Sequence, residues 1–90
     1  MGDETIWKFV LKPVDEQTVE MPSHARVLSA KEQEGEICVW ALVNPNDYKT
    51  QRMFRVVGTG HTSERLDLWQ FVDTVMLAGG ALVFHVFTRP

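Results

Sequence analysis

Apolar and polar positions alternate with period two along most of the chain, and no long stretch repeats every 3.6 residues. The first alternating run is Thr5 to Leu11. It sets Trp7, Phe9 and Leu11 on one face and Ile6, Lys8 and Val10 on the other. Pro13 ends it, because proline cannot donate to a central ladder. Gln17 to Met21 predicts a short second strand, ended by Pro22. His24 to Gln33 predicts a third, with Val27 and Ser29 opposite Arg26, Leu28 and Ala30. Glu34-Gly35-Glu36 then reads as a hairpin turn, with Gly35 supplying a positive φ.

Ile37 to Val43 is apolar on both faces, the pattern of a central strand covered on both sides, and it predicts Trp40 as core. Asn44 to Asp47 is a loop. Thr50 to Val57 is a further strand, broken by Gly58-Thr59-Gly60-His61. Thr62 to Gln70 reads as a loop with one short helical turn, since Thr62 and Ser63 can both cap. Phe71 to Leu77 and Ala81 to Phe87 form the clearest hairpin, joined by Gly79-Gly80 as a two-residue turn. Met1 to Glu4 and Arg89-Pro90 are expected to fray. Six or seven short strands joined by tight turns predict an all-β, mainly antiparallel sandwich or small barrel with one short helical turn.

Ninety residues suffice for one domain, residues 1–90. The 9 basic and 12 acidic side chains leave a net charge of -3, which excludes a chain that coats duplex DNA by charge alone. No apolar run has the length of a membrane span, and no signal peptide is expected. The single Cys38 cannot form an internal disulfide, which fits a reducing cytosol. So short a chain buries only about 60 to 65% of its unfolded surface, so a homo-oligomer is expected on physical grounds.

The most suggestive chemistry lies at Gly58-Thr59-Gly60-His61. Two glycines allow a sharp turn that presents N–H groups to an anion, and Thr59 and His61 add donors. No lysine follows in the place a Walker loop requires. The plain alternative is a glycine-rich turn leaving a strand. No acid occurs from Tyr48 to Ser63, while Lys49, Arg52 and Arg55 lie on or beside one strand, and Arg65 follows. A local basic strand in an acidic protein suits a small anion; it also suits an edge guarded by charge against aggregation. Arg52 and Arg55 are three apart, so a regular strand sends them to opposite faces. Trp7, beside Lys8, and Trp69 offer flat surfaces for stacking a base. His24, His61, His85 and Cys38 lack the spacing of a zinc site, and Cys38 reads as a buried, unreactive thiol. His85 reads as a satisfied core or interface histidine.

Three segments, Thr5-Ile6-Trp7-Lys8-Phe9, Phe54 to His61 and Gly79 to Phe87, resemble a family of small, largely uncharacterised proteins of tailed bacteriophages. The resemblance implies a phage origin and expression in the cytoplasm of an infected bacterium. It implies no activity and transfers no catalytic residue. The first functional expectation is therefore a non-enzymatic phage accessory protein. It would sequester a small anionic ligand, a nucleotide-type immune signal such as a cyclic nucleotide, against host defence. The contacting residues would be Trp7, Lys8, Arg52, Arg55, Gly58, Thr59, Gly60, His61, Arg65 and Trp69. No cofactor, metal or catalytic residue is assigned. The alternative is a protein–protein interaction module that inhibits a host protein or assists phage assembly, pairing through edge strands. A small hydrolase using His61 ranks third.

Overall fold

In the computed structural model, which describes residues 3–90, the chain forms seven strands in two antiparallel sheets. The strands are β1 (Thr5–Leu11), β2 (Gln17–Pro22), β3 (Arg26–Gln33), β4 (Glu36–Val43), β5 (Lys49–Gly58), β6 (Gln70–Leu77) and β7 (Leu82–Arg89). One sheet has the order β1-β4-β3 and the other β2-β5-β7-β6. The all-β expectation holds, and the form is a sandwich.

Period two explains the core. Leu11, Ile37, Val39, Ala41 and Ala30 of the first sheet meet Met21, Phe54, Val56, Val75 and Val86 of the second, all buried. The sandwich closes along one lateral side. There β3 and β6 approach, and the Asp73 carboxylate accepts from the Ala30 amide at 3.4 Å and the Lys31 ammonium at 3.0 Å. Both strands bulge beside this contact, between Val27 and Ser29 and between Phe71 and Asp73. A bulge adds local twist and bends a strand, here where the two sheets converge. At the opposite lateral side, β1 and β2 meet at a corner. The Gln17 amide group there accepts from the Lys12 N–H and donates to its carbonyl, at 2.9 and 2.7 Å.

The turns test the local reading. Gln33 pairs with Glu36 across Glu34 (φ 53) and Gly35 (φ 81), both left-handed, as the twist of a tight hairpin demands. The Gly79-Gly80 connection is longer than expected. Leu77 pairs with Leu82, so four residues make the turn, and Ala78 itself takes a left-handed φ of 52. Gly79 (φ 65) and Gly80 (φ 96) continue in the left-handed region, the Ala81 amide donates back to the Ala78 carbonyl at 3.2 Å, and the start of β7 moves from Ala81 to Leu82. A second 3-10 turn, Leu66–Leu68, is the short helical turn expected between Thr62 and Gln70. Strand β3 begins at Arg26, not His24, because His24 has φ 62 and the Ser23 amide donates to the Tyr48 carbonyl.

Two further expectations are corrected. Arg89 does not fray: it pairs with Met53 inside β7. Asp3 and Glu4 lie outside the strands, and Met1 and Gly2 lie outside the described residues. Strand β4 is central, but only one of its faces is fully covered. Trp40 and Leu42 point away from the core and are half-buried, because nothing among the described residues packs over that side of the three-stranded sheet. Doubly apolar alternation identifies the central strand and cannot say which face meets the second sheet.

Candidate functional site

Strand parity separates Arg52 from Arg55, as their spacing predicts. Arg52 shares the inward face of β5 with Phe54 and Val56. Its guanidinium donates to Thr88 Oγ1 at 3.0 Å and to the Ala25 carbonyl at 2.8 Å, and burial lowers its pKa from the ordinary value. Arg55 points to the outer face of the four-stranded sheet, yet it is only 6% exposed. The chain between β5 and β6 folds back over this face as a strap, residues 59–69. Arg55 donates to the Glu64 carbonyl, to Ser63 Oγ and, at 3.2 Å, to the Asp15 carboxylate. Ser63 Oγ in turn donates to Asp15 at 3.0 Å.

Trp69 ends the strap. The Arg55 and Arg89 guanidiniums both lie within cation–π range of its ring, at 5.2 and 5.1 Å from the ring centre. Val57, beside Arg55 on the outer side, is buried as well. Arg55 therefore acts as a rivet through the strap, holding it with charge-assisted bonds in a water-poor setting.

The Gly58-to-His61 turn begins the strap. The Thr59 amide donates to the Val83 carbonyl and the His61 amide to the Gly58 carbonyl, so two of its N–H groups face inward partners. Gly60 holds φ 86, which favours glycine. The His61 ring lies against Gly58 so closely that a Cβ there would sit 3.1 Å from Nδ1. Three shallow hollows of about 210, 240 and 210 Å³ border the turn. Each is smaller than the ~300–1,000 Å³ typical of a small-molecule pocket. Next to it, His85 bridges Thr59 Oγ1 at 2.7 Å and Thr74 Oγ1 at 2.9 Å.

The structure thus gathers Thr59, Gly60, His61, Arg65 and Trp69 on the strap, with Gly58 at its start and Arg55 beneath it on β5. It places Trp7, Lys8 and Arg52 elsewhere. Arg65 chelates Asp67 at 3.1 and 2.8 Å. Trp7 lies on the other sheet, with the Lys49 ammonium 5.9 Å from its ring centre. Lys8 reaches over β4 to Gln33 Oε1 at 2.7 Å and roofs Cys38. Burial pushes the Cys38 thiol above its ordinary pKa, with a smaller opposing pull from Lys8, so the reactive thiolate is disfavoured. Asp67 and Asp73 bond Arg65 and Lys31. Among the described residues no three His, Cys, Asp or Glu side chains gather as a metal site, and no helix is long and apolar enough to cross a membrane.

A different surface is defined by Ile6, Val10, Leu28 and Leu42, which sequence reasoning did not single out as a site, together with Trp40, which it placed in the core. On the outer side of the three-stranded sheet, Ile6 is 55% and Val10 46% exposed, beside half-buried Leu42 and Trp40. Leu28 and Ser29 together oppose Trp40 at the β3 bulge, and Leu28 is 42% exposed. Lys8, Arg26 and Lys31 stand around this apolar stretch. The alternation in β1 and β4 carried the signal, because both faces of both strands are largely apolar while a two-layer sandwich can cover only one face of each.

No curated protein and no solved structure matches the chain. Its sequence matches DUF7352, a domain of unknown function, over residues 3–90, and the chain belongs to that family.

Proposed function

We propose that the chain is a non-enzymatic interaction module that binds a partner protein on the outer face of its three-stranded sheet. One observation carries this reading: Ile6, Val10 and Leu28 stand exposed beside Trp40 and Leu42, on a sheet face that no other segment of the described chain covers. Contiguous exposed apolar surface rimmed by charge is the usual signature of a protein contact. The catalytic reading lacks a matching arrangement, since Asp15 and His85 bond structural partners and the His61 ring packs against Gly58 with no acid or hydroxyl bonded to it. The resemblance to small phage proteins supports a host or phage protein as partner.

A small anionic ligand, such as a cyclic nucleotide, is the second reading. The three hollows that meet at Gly58 and His61 favour it. The engagement of Arg52, Arg55 and Arg65 within the chain weighs against it.

The three tryptophans separate these readings, because each reports on one region. In a spectrum of isotope-labelled protein, adding bacterial host proteins should broaden the Trp40 indole signal in the wild type and not in Leu28→Glu. A Trp69 shift on adding nucleotides, with Trp40 unmoved in host proteins, would overturn the first reading in favour of the second.

A further inference from the structure

The sandwich has four edge strands, and they are not alike. The β3 and β6 edges shut against each other through Asp73. The β2 edge is six residues long, carries Glu20 and stops at Pro22. The β1 edge is different. It is seven residues long, Thr-Ile-Trp-Lys-Phe-Val-Leu, with no acid, proline or glycine. Among the described residues its one strand partner is β4. A long apolar edge presents a row of unpaired backbone donors and acceptors, which natural proteins usually guard with a lysine or proline. Lys8 stands at the middle of β1, but its ammonium is drawn back across its own sheet to Gln33. The guard is turned away from the edge.

We propose that β1 is a homodimer edge, on which the β1 strand of a second copy pairs antiparallel about a two-fold axis at Lys8. An edge strand is self-complementary when reversed, because the same backbone groups then meet their counterparts. Symmetry requires residues of one face to oppose residues of the same face. With the axis at Lys8 all seven residues pair. Trp7 faces the partner's Phe9, Ile6 the partner's Val10, and Thr5 the partner's Leu11. Apolar side chains meet apolar ones in the Trp7–Phe9 pair of the inner face and the Ile6–Val10 pair of the outer face, and aromatic and β-branched cross-strand pairs are among the more stabilising. Moving the axis by one residue, to Trp7 or Phe9, sets Lys8 against an apolar side chain and leaves strand ends unpaired. At the Lys8 axis the two ammoniums diverge, each toward its own Gln33. The result is a continuous six-stranded sheet. The inward Trp7 and Phe9, whose rings lie 6.5 Å apart at the open lateral side, gain cover from their counterparts.

The test uses charge pairs that matter only across the axis. Residues 6 and 10 lie four apart on one strand, about 13 Å, and do not touch within a copy. In this register each faces the other on the partner. Sedimentation should give the wild type twice the 10.3 kDa of one chain. Ile6→Lys with Val10→Lys should be monomeric, and Ile6→Lys with Val10→Glu should remain dimeric. Both positions are exposed, so folding should survive, as circular dichroism can check. A wild type of 10.3 kDa at hundred-micromolar concentration overturns the proposal, as do two variants that behave alike. A cross-link gives a second measure. Opposed Cα atoms lie about 4.5–5.5 Å apart, within disulfide reach. Lys8→Cys in a Cys38→Ala background should oxidise to a covalent dimer, and Val10→Cys in the same background should not. Equal cross-linking of the two overturns the Lys8 axis.

Discussion

The two sheets of this sandwich cover their outer faces to different extents, although Phe71 and Met76 stay exposed on the four-stranded one as well. The four-stranded sheet hides part of its outer face under the strap, riveted by Arg55 and capped by Trp69. The three-stranded sheet leaves Ile6, Val10 and Leu28 in solvent beside Trp40. Both faces mix apolar and cationic side chains, so composition does not distinguish them. Covering segments do. Eleven residues, 59–69, separate β5 from β6 and can reach back over the sheet, whereas two residues, Glu34 and Gly35, join β3 to β4. A tight hairpin has no chain to fold over anything. Arginine on the covered face becomes a structural bolt, and lysine on the uncovered face lies along the surface as a lid over Cys38.

The largest expected effect breaks the covered side. Arg55→Ala removes the bonds to Asp15, Ser63 and Glu64 and the contact with Trp69. It should cost about 2–4 kcal/mol, combining lost charge-assisted bonds with the cavity left behind. For a domain of this size that lowers Tm by roughly 10–25 °C, measurable by calorimetry. A loss under about 0.5 kcal/mol, the range of an ordinary surface change, would make the strap a loose loop.

A smaller effect comes from Asp15. The hydrogen bond from Arg55 lowers its pKa from the ordinary 3.8, with burial opposing and Ser63 and the Arg55 charge assisting. A lowered folded-state pKa gives stability that is complete above the ordinary value and lost as pH falls through the folded value. Asp15 is 57% exposed, so the contribution at neutral pH is on the order of 1 kcal/mol or less. Denaturant midpoints should converge for wild type and Asp15→Asn as pH drops below about 4. A constant gap down to pH 2 would remove the ion pair from the account.

The smallest effect sharpens the uncovered side. Leu28→Glu should change stability by no more than about 0.5 kcal/mol, because the side chain is 42% exposed at a bulge and outside the core. The same denaturant titration checks it. A large loss would mean that Leu28 is packed and that the face is not free.

Alternation in the sequence carried the strand count, the antiparallel class, the central place of β4 and the opposite sides of Arg52 and Arg55. Each depends on a residue's immediate neighbours. The strap did not show, because Arg55 binds Ser63 and Glu64 across a turn and Asp15 across forty residues, and no local pattern records such a meeting. The Gly79-Gly80 turn misled for a related reason: a left-handed Ala78 extends it, and alanine gives no sign of that. Only in three dimensions do Trp7, Lys8 and Arg52 part from the strap. The apolar outer face could be read in Ile6, Val10 and Leu42 once β1 and β4 were known to share a sheet.

Strand order sets a schedule for biosynthesis. The β1, β3 and β4 strands all precede residue 44, so the smaller sheet can form while the later half of the chain is still being made. The larger sheet must wait, because β7, the last strand synthesised, lies between β5 and β6. Until β7 has cleared the ribosome, the smaller sheet has no complete second layer over its inner face. Nascent chains thus pass through a stage in which half a sandwich carries uncovered apolar surface on both sides, and at that stage chaperones that bind nascent chains and high expression levels should have their greatest influence on yield.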